Sequence, residues 1–237
     1  MAQSRSFGSR LLRWLGLLIT GFLVFTVGSV LLMRWVNPVT STFMLRDRTV
    51  ALVNDTKDYR FAHQWADWRD ISANVKVAVI ASEDQKFPDH SGFDFESMEK
   101  AWQQNQRGRK VRGGSTISQQ VAKNLYLWPG QSYIRKGIEA YLTVLIEALW
   151  PKQRILEIYL NSAEFGPGVF GVEAASHRYF RKPAAKLSTE ESALLAAVLP
   201  APKRLLVSKP SGFVRARQAW ISRQMARLGG PSMLRNL

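Results

Sequence analysis

The chain has no cysteine and only three histidines in 237 residues. The lack of thiols excludes a disulfide framework and a cysteine nucleophile, although it leaves open which side of a membrane the protein faces. None of the three, His63, His90 and His177, has a second histidine at metal-ligand spacing, so with cysteine missing as well a zinc site is not expected. Acidic residues are also few, 18 against 33 basic, which leaves a formal charge of +15. That excess needs an anionic partner or a solvated face. No internal repeat or low-complexity tract is evident, and 46% apolar composition is enough for one sizeable core.

One long apolar run is present. Trp14 to Met33 carries no charge, and at about 1.5 Å rise per residue it is just long enough to cross a bilayer core as a helix. A cleaved signal peptide would have a shorter apolar part, about 7–15 residues, ending in small residues. Here Arg34-Trp35-Val36-Asn37-Pro38 follows, so an uncleaved anchor is the better reading, with Trp14 and Trp35 near the two interfaces. Arg5, Arg10 and Arg13 precede the run, which places the N-terminus in the cytoplasm and exports the rest. The expected organisation is 1–35 tail and anchor, 36–70 a juxtamembrane segment whose Tyr59, Phe61, Trp65 and Trp68 pack on the domain or touch lipid, and 71–237 the catalytic domain. Residues 201–237 hold Lys203, Arg204, Lys209, Arg215, Arg217, Arg223, Arg227 and Arg235 without an acid, interleaved with Phe213, Trp220, Ile221, Met225 and Leu228. This suits a helix near anionic headgroups. Nucleic acid is the other anionic partner, but an exported chain would rarely meet it.

From Ile71 onward the periodicity is mostly helical. Val75, Ala78, Val79 and Ser82 form one face leading to Glu83, and Pro88 with Gly92 marks a turn. Phe95, Met98 and Trp102 start the next helix, followed by a basic, glycine-containing loop from Gln106 to Gly114. Ile138, Tyr141, Leu142, Leu145 and Leu149 share a face within 132–150, Pro151 begins or ends a helix, and Ser188-Thr189-Glu190-Glu191 is a capping box.

The run Arg112-Gly113-Gly114-Ser115-Thr116-Ile117-Ser118-Gln119-Gln120-Val121-Ala122-Lys123-Asn124 crowds glycines, hydroxyls, amides and a lysine into one helix start. Glycine lets backbone approach a ligand, Ser115 or Thr116 can cap, and the free N–H groups suit anionic oxygens. Upstream lies Ala81-Ser82-Glu83-Asp84-Gln85-Lys86-Phe87-Pro88-Asp89-His90-Ser91-Gly92; downstream come Arg135-Lys136-Gly137-Ile138-Glu139 and Lys152-Gln153-Arg154-Ile155-Leu156-Glu157-Ile158-Tyr159-Leu160-Asn161-Ser162-Ala163-Glu164-Phe165-Gly166. In order and wording these segments resemble the glycosyltransferase domain of peptidoglycan polymerases, the family 51 glycosyltransferases, over roughly residues 71–205. No transpeptidase-like segment follows, so the chain looks like a monofunctional member.

The resemblance implies a mainly α, lysozyme-like, two-lobed helical domain behind one transmembrane helix. It implies polymerisation of lipid II into β-1,4 glycan strands, with inversion and release of undecaprenyl pyrophosphate. Glu83 is then the general base and Glu139 a second carboxylate, orienting cations or holding a divalent ion. Lys123, Arg135 and Lys136 are the cations for pyrophosphate, and Asp84, Phe87, His90, Ser115, Thr116, Gln119, Gln120 and Asn124 are the further substrate contacts. Asp84 could alternatively cap backbone N–H groups, and His90 reads as a turn residue or substrate contact rather than a catalyst. Asn161, Glu164 and Gly166 are expected to shape the cleft wall. The resemblance makes no cofactor certain, and magnesium or manganese bridging pyrophosphate oxygens is compatible without a protein cage. Expected partners are lipid II, the growing lipid-linked strand and the membrane, with cell-wall transpeptidases or division proteins beside them and no nucleic acid. Between Lys123 and Arg135, where relatives can carry another basic residue, Leu125 to Ile134 are all neutral. Two other readings stay open: a lysozyme-like glycan-cleaving enzyme using Glu83 and Glu139 as acid and base, and a non-catalytic membrane-tethered scaffold.

Overall fold

The computed structural model describes residues 3–57, 59–106, 114–130 and 132–237. The basic loop expected after Gln106, with Arg112 and Gly113, lies outside the described residues. The chain divides into two units, Met1–Asn37 and Pro38–Leu237. The first is α1 (Gln3–Met33), in which Gly8–Met33 is long and apolar enough to cross a membrane. Its Leu11, Leu12, Leu17, Leu18 and Phe25 are exposed, as hydrocarbon-facing side chains would be, and it is a candidate membrane anchor.

In the second unit follow α2 (Thr42–Val53), β1 (Ala62–His63), a 3-10 turn at Trp68–Asp70, α3 (Ala73–Glu83), α4 (Phe95–Gln106), α5 (Ile117–Tyr126), α6 (Tyr133–Leu149) and α7 (Lys152–Ser162). Then come β2 (Glu164–Gly166), β3 (Val169–Phe170), α8 (Val172–Phe180), α9 (Thr189–Val198), α10 (Gly212–Arg227) and a terminal 3-10 turn, Gly230–Asn236. The fold is mainly α, and its one small sheet runs β1-β3-β2, with β1 parallel and β2 antiparallel to β3.

Residues 38–70 fall within the second unit. Polar contacts that a mixed-polarity stretch does not advertise tie them in. The Thr42 hydroxyl donates to the Leu125 carbonyl at 2.7 Å, Tyr59 donates to Asp47 at 2.8 Å, and Ala62 pairs with Val169. Asn161 is fully buried and brackets Ala66, accepting from its N–H at 2.8 Å and donating to its carbonyl at 2.9 Å. The expected aromatics pack on the domain: Phe61 against Phe170, Trp65 under Arg154, and Trp68 under Lys76.

Helix α3 is the centre. Residues from Val75 to Ala81 are all buried, so this helix has no solvent face, and α9, α10 and the terminal 3-10 turn pack around it. Burying each large aliphatic side chain is worth about 1.5–3 kcal/mol, which pins the helix axially. Its one buried cation, Lys76, donates to the Trp68 carbonyl at 2.6 Å, and burial brings its pKa down to about 8. Ser72 caps the start by accepting from Asn74 N–H, and the helix runs out at Glu83.

Helix α6 rests on a different stripe from the apolar one in its sequence. Glu139, Leu142, Thr143 and Ile146 are buried, whereas Ile138, Tyr141, Leu145 and Leu149 are only half-buried. Two of the four buried residues are polar, and Thr143 meets its hydroxyl's need within the helix by donating to the Glu139 carbonyl at 2.7 Å. Phe95 and Met98 of α4 remain exposed. Pro151 starts α7, and Ser188 with Glu191 forms the expected capping box of α9. Helix α10 packs on α9 and α3, with Val214, Ile221 and Met225 buried.

Candidate active site

Helix α5 starts beside the end of α3. Thr116 is its N-cap, in a reciprocal box with Gln119: the Gln119 N–H donates to Thr116 Oγ1 and the Thr116 N–H to Gln119 Oε1. Thr116 also donates its hydroxyl proton to the Gly92 carbonyl at 2.7 Å. Gly92 has φ +90°, and a Cβ there would come within 2.8 Å of Thr143 Cγ2. Asp84, buried at the end of α3, accepts from the Ile117 N–H at 2.9 Å and from His90 Nε2 at 2.9 Å, while His90 Nδ1 accepts from the Gly92 N–H at 3.1 Å. The capping alternative for Asp84 is therefore what the geometry displays. His90 and fully buried Phe87, edge-on to each other, are pillars beneath the site and line neither cavity described below. The turn after α3 folds both rings inward.

Glu83 faces the larger of two cavities. Its Oε2 accepts from Gln120 Nε2 at 3.1 Å, and its Oε1 accepts from the Ser82 hydroxyl at 3.3 Å and lies 3.5 Å from Arg217 Nη2. Gln120 is oriented in turn by Tyr159, whose phenol donates to its Oε1 at 3.3 Å. Burial pushes the Glu83 carboxyl above the usual carboxylate range, opposed by Gln120, Arg217, Ser82 and Lys123. The cavity measures about 510 Å³ and is walled by Ser82, Asp84, Gln85, Lys86, Asp94, Ser97, Ser115 and Thr116 on one side and Trp220, Gln224 and Arg227 of α10 on the other.

The smaller cavity, about 160 Å³, is lined by Ser115, Gln119, Gln120, Lys123, Arg135, Lys136 and Glu139. Ser115 borders both spaces, and the Gln120–Glu83 hydrogen bond bridges them. Three cations meet one carboxylate here. Buried Glu139 accepts from Lys136 Nζ at 2.5 Å and from Arg135 Nη1 at 3.4 Å. Burial lowers the Lys123 pKa, with Glu139 and Glu83 opposing and Arg135 and Lys136 reinforcing the fall. Arg135 Nε is buried with no hydrogen-bond partner among the described residues. The surplus positive charge and the idle donor suit an anion with several oxygens. They do not suit a protein-held divalent ion, because Glu139 is the only carboxylate in the lining and three cations surround it.

Of the expected contacts, Glu83, Asp84, Ser115 and Thr116 meet in the first cavity, and Ser115, Gln119, Gln120, Lys123, Arg135, Lys136 and Glu139 in the second. Asn124 lines neither. Asn161, Glu164 and Gly166 do not wall the cleft: Asn161 holds Ala66, Glu164 sits near Lys203, and a Cβ at Gly166 would strike the Tyr179 hydroxyl at 1.9 Å. Arg217, Tyr159 and Trp220 were not singled out by sequence reasoning. Their helical spacing reads as ordinary amphipathicity, and only the packing of α7 and α10 brings them to Glu83 and its cavity.

The second unit is a mainly helical domain with a buried carboxylate beside a cationic pocket, and in sequence it follows the apolar helix. The family profile described as Transglycosylase matches residues 50–226. The chain is similar to proteins named biosynthetic peptidoglycan transglycosylase: 54% identical over 208 residues to that of Pasteurella multocida (strain Pm70), covering 88% of this chain and 85% of the relative. To that of Xanthomonas axonopodis pv. citri (strain 306) it is 50% identical over 225 residues, 94% and 92% of the two chains. To that of Pseudomonas entomophila (strain L48) it is 48% identical over 229 residues, 97% of each. The chain belongs to the transglycosylase family.

Proposed function

We propose that this chain is a peptidoglycan glycosyltransferase that polymerises lipid II, the lipid-linked disaccharide-pentapeptide, into β-1,4 glycan strands with release of undecaprenyl pyrophosphate. The observation that carries this reading is the pairing of a buried, hydrogen-bonded carboxylate with an adjoining pocket of three cations, one of which has an idle buried donor. Glu83 takes the proton from the 4-hydroxyl of the acceptor's N-acetylglucosamine as that oxygen attacks the donor's anomeric carbon. The bond from that carbon to the pyrophosphate oxygen breaks, and its electron pair leaves with the pyrophosphate, where Lys123, Arg135 and Lys136 meet the charge. A single displacement inverts the α-linked donor to a β link.

Burial brings the base toward the working pH, where general bases are most effective, while Gln120 and Arg217 keep it ionisable. A glycan-cleaving enzyme needs, besides the acid that protonates the leaving oxygen, a second carboxylate free to activate water or attack the sugar. Glu139 is instead taken up by Lys136 and Arg135, which supports the polymerase over that alternative. The apolar Gly8–Met33 helix anchors the enzyme in the inner membrane, N-terminus in the cytoplasm and domain outside, on the strength of the arginines before it.

Detergent-solubilised protein should elongate lipid II and leave finished peptidoglycan intact. Glu83→Gln keeps the shape but cannot accept the proton, so synthesis should fall by about 10²- to 10⁴-fold. Parent-rate synthesis by this variant would overturn the base assignment, and degradation of finished glycan by the parent would replace the polymerase with a hydrolase.

A further inference from the structure

The C-terminal helix α10 carries Arg215, Arg217, Arg223 and Arg227, and three of these are exposed while Arg217 turns inward. The inward face is set by packing. Val214, Ile221 and Met225 are buried against the domain, Ser211 caps the start, and Gln218 Nε2 donates to the Glu190 carbonyl at 2.8 Å. One helical face then presents Arg217, Trp220, Gln224 and Arg227 in succession, the last three lining the cavity that Glu83 faces. Arg217 Nη2 lies 3.5 Å from Glu83 Oε1, with the two side chains 14% and 13% exposed. An ion pair so screened from water couples more strongly than a surface pair.

We infer that Arg217 is a positioning residue for Glu83, holding one carboxylate oxygen from α10 while Gln120 holds the other from α5. The inference rests on the reading of Glu83 as the base. At the end of α3 this carboxylate has no cation of its own helix to pair with: the residues before it are Val79, Ile80, Ala81 and Ser82, and Lys76, two turns back, donates to the Trp68 carbonyl. Gripped from two sides, it cannot swing, and its remaining lone pairs stay available to the acceptor hydroxyl. The positive charge also keeps the carboxylate ionised against the pull of burial.

The groups that bear on that ionisation are few. Arg217 comes from α10, Lys123 and neutral Gln120 from α5, the Ser82 hydroxyl from α3 itself, and the Tyr159 phenol from α7. From α9, Glu191 is paired with Lys182 and Glu190 accepts from the Ser188 hydroxyl. From the terminal 3-10 turn, exposed Arg235 donates to the Ser232 carbonyl. The neighbouring Asp84 is engaged with His90 and Ile117.

The test is the pH–rate profile of lipid II polymerisation by the full-length protein, its R217Q and R217K variants, and E83Q alongside. R217Q should lose about tenfold in kcat at neutral pH with KM little changed, and its acid limb should move to higher pH because the unaided carboxylate protonates sooner. R217K keeps the charge, so its acid limb should stay near the parent's while its rate is intermediate. A uniform loss in R217Q with an unmoved limb, or a parent-like profile, would overturn the inference while an inactive E83Q left the base assignment standing. Active E83Q would instead remove the base assignment itself. Loss of the folded state in both R217Q and R217K would make the arginine a strut of the fold and would equally overturn the inference.

Discussion

Asp84 provides the most demanding test of how the site is held together. It is 7% exposed, and its carboxylate accepts from the first N–H of α5 at 2.9 Å and from His90 Nε2 at 2.9 and 3.0 Å. Asp84→Ala would leave both donors without an acceptor. Hydrogen bonds to a charged group are worth about 1.5–3 kcal/mol each, so the ceiling is about 6 kcal/mol. Asp84 also lines the larger cavity, and water entering from it would satisfy part of the loss, which brings the expected cost to about 3 kcal/mol. For a domain of this size that is a fall in Tm of about 6–12 °C. Asp84→Asn retains one carbonyl oxygen and should lose about half as much. Unfolding of the detergent-solubilised protein, followed by tryptophan fluorescence at a fixed scan rate, measures both. Polymerisation assayed well below Tm should fall less in Asp84→Asn than in Glu83→Gln. The bracing role would be refuted if Asp84→Ala melted within about 2 °C of the parent while losing synthesis as completely as Glu83→Gln.

Lys123→Ala and Arg135→Ala should each slow lipid II turnover about 10- to 150-fold with little change in Tm, since each removes a charge-assisted contact worth roughly 1.5–3 kcal/mol. Near-normal rates in both would remove the pyrophosphate clamp. Glu164 has its pKa pushed up to about 7, first by burial and then by Asp47, against Lys203. Its folded pKa lies above the unfolded value near ~4.3, so folding takes up a proton and unfolding free energy should fall as pH rises from about 4.3 to about 7, then level off. Glu164→Gln should flatten that slope in denaturation at pH 5, 6, 7 and 8, and an unchanged slope would discard the assignment. A reporter fused after Leu237 should work only if it matures outside the cytoplasm, and strong signal from a cytoplasm-dependent reporter would reverse the proposed topology.

Local signals in the sequence carried well. The cap at Thr116, the box at Ser188, the helix ending at Glu83 and the apolar run before Arg34 each depend on residues within one or two turns of one another. What depends on distant packing did not. The pattern of α6 put its apolar residues inward, yet the buried stripe includes Glu139 and Thr143, because the stripe serves the cationic pocket as well as the core. Phe87 and His90 sit in a motif rich in reactive groups, and nothing in their spacing told that the turn would fold them under the site. Arg217 was one arginine among many in a basic tail, and only the docking of α10 on α3 distinguishes it.

Two glutamates of the site differ in how they are held, and that difference assigns their work. Glu139 finds its partners on its own helix, Lys136 at i−3 and Arg135 at i−4, so its two counter-charges form as soon as α6 does. It behaves as part of the cation cluster, spacing the positive groups and limiting their mutual repulsion. On α3 Glu83 has only the Ser82 hydroxyl, since Lys76 of that helix is turned to the Trp68 carbonyl, and its other partners arrive from α5 and α10 when the unit is assembled. Until then it is a carboxylate at the end of an apolar helix. If Glu83 is the base as proposed, its charged support and its Gln120 contact exist only in the complete fold, and its basicity is open to adjustment by whatever moves α5 or α10. On the proposed function, this difference in environment suits Glu83 to accepting a proton and Glu139 to organising cations.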